Sequence, residues 1–160
     1  MTHFKAAIAF ASFLALPQGI YANPSETSDV LMTITTPTSS KRYDLDDLMA
    51  FPQVKFETST IWTGGVPEFT GVSLSALLKD AGITEGTIMA TAINDYAVEI
   101  PLNEINDKFP IIAYYQNDEP MSVRDKGPLW IVYPYDQFIE YQTQINYSRS
   151  IWQLDRIILE

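Results

Sequence analysis

Apolar and polar positions alternate with a period of two along much of the chain, and with a helical period in one stretch, and these patterns predict its elements. The run Val30-Leu31-Met32-Thr33-Ile34-Thr35 is rich in β-branched residues and predicts a first strand. Residues 37–40 read as a loop. Asp44 is placed to cap a short helix through Leu45, Leu48 and Met49, with Asp46 and Asp47 favourably set against the helix dipole. Val54, Phe56, Thr58, Thr60 and Trp62 alternate with Lys55, Glu57, Ser59 and Ile61. A strand there would carry the first five on one face and stop at Thr63-Gly64-Gly65. Ser73 opens a helix whose Leu74, Leu77 and Leu78 share a face, and Gly82 suits the residue after its end.

Beyond Gly82, residues 87–93 and 96–100 predict two strands around an Asn94-Asp95 turn, with Pro101 starting a helical turn. Residues 111–116 predict a strand turned at Asn117-Asp118. Residues 129–133 form a near-continuous apolar run that predicts a central strand closed by Pro134. Residues 138–144 have helical character, and residues 157–159 predict a strand that closes the sheet. Strands and short helices at irregular intervals predict an α+β fold, a single domain with a mixed β-sheet and short helices.

Composition agrees with one domain. The chain has 160 residues, of which 46% are apolar, enough to bury a core and to confine disorder to the ends. Lys5, the apolar run from Ala6 to Leu16, and Ile20-Tyr21-Ala22 predict a secretory signal over residues 1–22, cleaved after Ala22. The apolar run is too short to span a bilayer, so no membrane insertion of the mature chain is expected. Residues 23–29 read as a mobile polar leader and residues 30–160 as the domain.

Charge and residue types then remove whole classes of function. The formal charge is −10, and cleavage would remove Lys5 and make it more negative by one. Such a surface repels nucleic acid and anionic membranes. The chain has no cysteine, and its single histidine, His3, lies in the signal segment. The mature chain therefore cannot build a Ser-His-Asp site, a Cys-His site or an ordinary zinc site. Glycine-rich phosphate loops are absent as well. The pairs Asp46-Asp47 and Asp118-Glu119 read as a helix start and a turn.

Five strings, in order, carry a resemblance. They are Phe69-x-Gly71-Val72-x-Leu74-x-x-Leu77-Leu78-x-x-Ala81-Gly82, then Asn94-Asp95-Tyr96-x-x-x-Ile100-Pro101, then Ile112-Ala113-Tyr114. Glu119-Pro120-Met121 with the run from Arg124 to Pro134 is the fourth, and Ile151-Trp152-Gln153-Leu154-Asp155-Arg156-Ile157 the fifth. Together they resemble the molybdopterin-binding domain of sulfite-oxidase-type enzymes. In those enzymes a cysteine ends a strand before the Gly-Val-x-Leu helix and binds molybdenum. The resemblance puts Thr58 at that place, and a threonine hydroxyl is a poor substitute for a soft thiolate.

In size, signal segment and missing cysteine the chain is similar to small exported members of this fold. Some of these are pterin-binding regulators of a membrane-bound partner that controls cyclic di-GMP and biofilm formation. The resemblance thus implies a periplasmic, non-catalytic protein that binds a pterin, of the reduced monapterin or biopterin type, without molybdenum. It would relay ligand status to the periplasmic domain of a membrane-bound signalling protein. Two other readings remain open: a molybdopterin-dependent oxidoreductase, and an interaction module that keeps only the fold.

A pterin is a flat, hydrogen-bonding bicycle, and its pocket needs an aromatic wall with a few convergent polar groups. Trp62 is a candidate wall or a core residue, whereas Trp130 and Trp152, inside apolar runs, read as core. Thr58 and Thr60 are candidates through the resemblance. Arg124 and Arg149 match positions where the enzymes approach their cofactor, and Arg124 is equally suited to pair with Asp125 or Asp118. Asp95 and Tyr96 are candidates for the pterin edge, with Asp95 also serving as a turn former.

Overall fold

The computed structural model describes residues 29–160. The expected signal segment, its cleavage after Ala22, and the leader up to Ser28 lie outside the described residues. Among those described, no helix is long and apolar enough to cross a membrane.

The chain runs β1 (Met32–Thr35), β2 (Ser40–Tyr43), α1 (Leu45–Met49), β3 (Gln53–Glu57), β4 (Glu68–Ser73) and α2 (Leu74–Asp80). It continues with β5 (Thr87–Ala92), β6 (Ala97–Pro101), β7 (Ile111–Gln116), β8 (Glu119–Pro120), β9 (Trp130–Val132), α3 (Gln144–Arg149) and β10 (Leu154–Leu159). The strands form two sheets. One has the order β2-β1-β10-β5-β6, parallel between β1 and β10 and antiparallel elsewhere. The other has the order β3-β4-β7, with β8 and β9 both pairing with the far edge of β7. This is the expected α+β domain, with mixed sheets and short helices.

Local chemistry accounts for the elements that were expected. The Asp44 carboxylate accepts from the backbone N–H of Asp47 at 2.8 Å while the Asp47 carboxylate accepts from that of Asp44, a complete capping box for α1. Leu74, Leu77 and Leu78 are all fully buried, as their spacing on α2 requires. Gly82 takes φ +80°, and Ile83 N–H donates back to Leu78 O at 2.8 Å to close the helix. Ser73 does not cap α2, however; its hydroxyl donates to Asp107 O instead. Asn117 and Asp118 both take positive φ and turn β7 tightly into β8.

Other expectations are corrected. The alternation from Val54 does not continue as strand to Trp62. β3 ends at Glu57, and the chain folds into a turn where the Thr60 hydroxyl accepts from Trp62 N–H at 3.1 Å. β2 begins where a loop was expected, because an exposed edge strand of Ser40, Lys41 and Arg42 has no apolar signature. The segment 138–144 gives one 3-10 turn, Ile139–Tyr141, before α3, which starts at Gln144 under a Thr143 cap. β10 begins earlier than expected and lies inside its sheet between β1 and β5.

β9 is the most informative difference. It is fully buried but pairs with only one strand, β7. Its continuous apolar run comes from burial on both faces. Ile131 and Tyr133 join the large core shared by the two sheets, while Trp130 and Val132 join a second cluster with Phe56, Phe69, Phe109 and Ile111. On its free side β9 takes the segment that leads into β10. Ile131 N–H donates to Ile151 O at 2.9 Å, and Leu154 N–H donates to Leu129 O at 3.0 Å. That segment bridges the sheets and carries Trp152.

Candidate functional site

Three segments that are distant in sequence meet around a partly open cavity of about 420 Å³. The turn after β3 contributes Trp62. The β5–β6 hairpin contributes Ala92, Asn94 and Tyr96. α3 and the bridging segment contribute Gln144, Tyr147, Ser148, Ser150, Ile151 and Trp152.

The aromatic wall is held from behind. Trp62 meets Trp152 edge to face at 5.4 Å between ring centroids, and meets Trp130 and Tyr147 at 6.1 Å each. Trp130 is fully buried and donates its indole N–H to Ser150 O at 3.0 Å. Tyr147 packs on the buried Tyr135 ring at 4.9 Å, and the Tyr135 hydroxyl is hydrogen-bonded to that of Ser150. Burial pushes the Tyr133 and Tyr135 phenols well above the usual tyrosine range, so both stay neutral supports.

The frame of the cavity is tied by backbone and arginine contacts. Ile93 N–H donates to Gln153 O at 2.9 Å, joining the hairpin to the bridging segment. The Arg149 side chain, only 12% exposed, donates to Glu99 O on β6 at 3.1 Å and pairs with Glu104. Arg149 thereby holds α3 against β6, and its hydrogen bond keeps the Glu104 carboxyl below the usual glutamate range.

The polar groups on the wall are uncharged. The Asn94 carbonyl accepts from Tyr96 N–H at 3.2 Å, which leaves the Asn94 amide N–H groups to donate. The Gln144 carboxamide and the hydroxyls of Tyr96 and Tyr147 make no hydrogen bond among the described residues. Such a cavity accepts a flat ring edge-on to tryptophan, with carboxamides and phenols for its donor and acceptor positions.

Of the residues expected from sequence, the structure brings Trp62 and Tyr96 together here. The others lie elsewhere. Thr58 is fully buried, its hydroxyl donating to Ser59 O at 3.2 Å and accepting from Asp136 N–H at 3.1 Å. Thr60 forms the turn beneath Trp62. Asp95 takes φ +66° as the turn former and directs its carboxylate to Arg156. Arg124 sits exposed on the 3-10 turn Val123–Asp125 and pairs with neither expected carboxylate: Asp125 bonds Ser122 and Asp118 bonds Lys55. Arg149 is the strut just described. Sequence reasoning did not single out Asn94, Gln144 or Tyr147, and it assigned Trp152 to the core. The half-polar setting of Trp152, followed by Gln153, was the available signal.

The metal half of a molybdenum cofactor does not fit these residues. The position matched to the ligating cysteine is a buried threonine whose hydroxyl is already shared between two backbone groups. Among the described residues no cluster of three or more His, Cys, Asp or Glu is arranged to hold a metal. The cavity itself offers aromatic walls and uncharged hydrogen-bonding groups.

Comparison with known proteins agrees with the fold. No curated protein matches the chain. The family model for the oxidoreductase molybdopterin binding domain matches residues 22–141, three quarters of the sequence. The match includes Trp62, Asn94 and Tyr96 and stops before α3, so the opposite wall of the cavity lies beyond it. On this extent of agreement, the chain belongs to the oxidoreductase molybdopterin-binding domain family.

Proposed function

We propose that this protein is an exported, non-catalytic pterin-binding sensor. Its ligand is a reduced pterin of the monapterin or biopterin type, held in the cavity between Trp62, Tyr96 and Trp152. It works in the periplasm and relays ligand status to the periplasmic domain of a membrane-bound signalling protein, in the control of cyclic di-GMP and biofilm formation. The observation that carries the ligand assignment is an aromatic cavity with uncharged hydrogen-bonding groups, in a molybdopterin-binding domain that has no cysteine. Support for the relay comes from the signal-like segment and the resemblance to small exported regulators.

Binding at this cavity would clamp α3 against the β5–β6 hairpin, because the ligand would touch both. That is a way for an occupied site to present a different surface to a partner. The test is mass spectrometry of small molecules that co-purify with the exported protein, alongside metal analysis. A pterin without molybdenum is expected. Stoichiometric molybdenum would instead establish the oxidoreductase reading.

A further inference from the structure

The charge of the cavity and its surroundings selects among pterins. We infer that the site takes an uncharged, phosphate-free pterin and rejects one with a phosphate tail, an inference that rests on the pterin reading above. Among the described residues, no lysine, arginine, histidine, aspartate or glutamate lines the cavity. A phosphate carries a charge near −2 and is ordinarily met by an arginine fork, a lysine or a set of free backbone N–H groups.

The cations close to the cavity are already committed. Arg149, between the lining residues Ser148 and Ser150, is held by Glu104 and Glu99 O. Arg156 is shared between Asp95 and Asp155. Lys126 lies over the Trp130 ring, 5.7 Å from its centroid, and Trp130 does not line the cavity. Arg124 makes no such bond, but it lies on the separate Val123–Asp125 turn. Asp95, beside the lining residues Asn94 and Tyr96, is largely exposed at the hairpin tip, and the whole chain carries −10. A dianion entering would lose hydration without gaining a counter-charge, in a negative field.

The wall that completes this uncharged site, α3 with the bridging segment, lies beyond the family match. The exclusion thus depends in large part on residues of the C-terminal part, after residue 141. Ser148 is the natural place to reverse it. It lines the cavity on an exposed face of α3, and its hydroxyl bonds only to Ile145 O.

The experiment is a tryptophan-fluorescence titration of the full chain with 7,8-dihydroneopterin and with its monophosphate ester. The phosphate-free compound should bind at least tenfold more tightly to the wild type, and Ser148→Lys should narrow that gap severalfold. Equal or tighter binding of the monophosphate to the wild type would overturn the inference while leaving the pterin reading intact. An unchanged gap in a folded Ser148→Lys variant would overturn the electrostatic cause. Binding of neither compound would overturn the underlying reading itself.

Discussion

Trp62 and Trp152 meet edge to face with ring centroids 5.4 Å apart, one from the turn after β3 and the other from the segment that bridges the two sheets. Both are half-buried, each with one side on the fully buried Trp130 and another facing the cavity. The pair therefore serves packing and recognition together. Trp62→Ala should weaken pterin binding by about tenfold or more through lost ring contact. It should also cost about 2 kcal/mol of stability, below the range for a fully buried tryptophan. Urea unfolding and titration of the same preparation separate the two effects.

Arg124→Ala is the contrasting case. Resemblance alone makes Arg124 a cofactor contact, but the residue is exposed and outside the cavity. The substitution should leave binding and stability unchanged within about 0.5 kcal/mol. A tenfold loss of affinity in the same titration would place the ligand on the Arg124 side of the domain.

Arg149→Ala should act through position. Removing the strut leaves Glu104 and Glu99 O without their partner and frees α3 from β6, at a cost of about 1–3 kcal/mol. Amide hydrogen exchange should rise in α3 and in the β5–β6 hairpin before it rises in α2. Uniform exchange across the domain would contradict a local strut.

Gly71→Ala tests the sheet that carries Trp62. A Cβ at this position would lie 2.1 Å from Ile112 O, a backbone atom that cannot move without breaking the β4–β7 pairing. The expected loss is at least about 3 kcal/mol, at the upper end for overpacking. A thermal midpoint near that of the wild type would show that the pairing is looser than its register implies.

Acid should weaken the fold partly through Asp80. Its carboxyl is held below the usual aspartate value of 3.8, first by the hydrogen bond from Lys41 and then by that from the Tyr43 hydroxyl. A lowered folded pKa gives stability that is full above 3.8 and is lost as pH falls through the folded value. Asp80→Asn should therefore be less stable than the wild type at neutral pH and converge with it at low pH. Parallel stability curves down to about pH 2 would rule this contribution out.

The legibility of the sequence followed the range of the interactions involved. The Asp44 cap, the Leu74-Leu77-Leu78 face, Gly82 and the Asn94-Asp95 turn are written within a few residues, and each forms where the pattern put it. β2 is polar and lies at an edge, so periodicity could not announce it. The apolar run of β9 signalled burial on two faces, which a central strand and a covered sheet margin share. The cavity was half legible. Trp62 and Tyr96 stand beside glycine and turn residues that suggest exposure, and Asn94 belongs to the same hairpin as Tyr96, whereas Gln144 and Tyr147 reach the cavity only through the tertiary fold. Thr58 followed the opposite course: its position was suggestive, but its hydroxyl is spent on Asp136 and Ser59.

Filling the cavity is the most direct test that a pterin sits there. Ala92 is small, buried and part of the cavity wall, so Ala92→Leu has space to extend into the volume a ligand would occupy. The deciding measurement is calorimetric titration of a reduced, phosphate-free pterin into the wild type and into Ala92→Leu. One-to-one binding to the wild type is expected, with binding to the folded variant weakened at least tenfold. Equal binding to both proteins would contradict it.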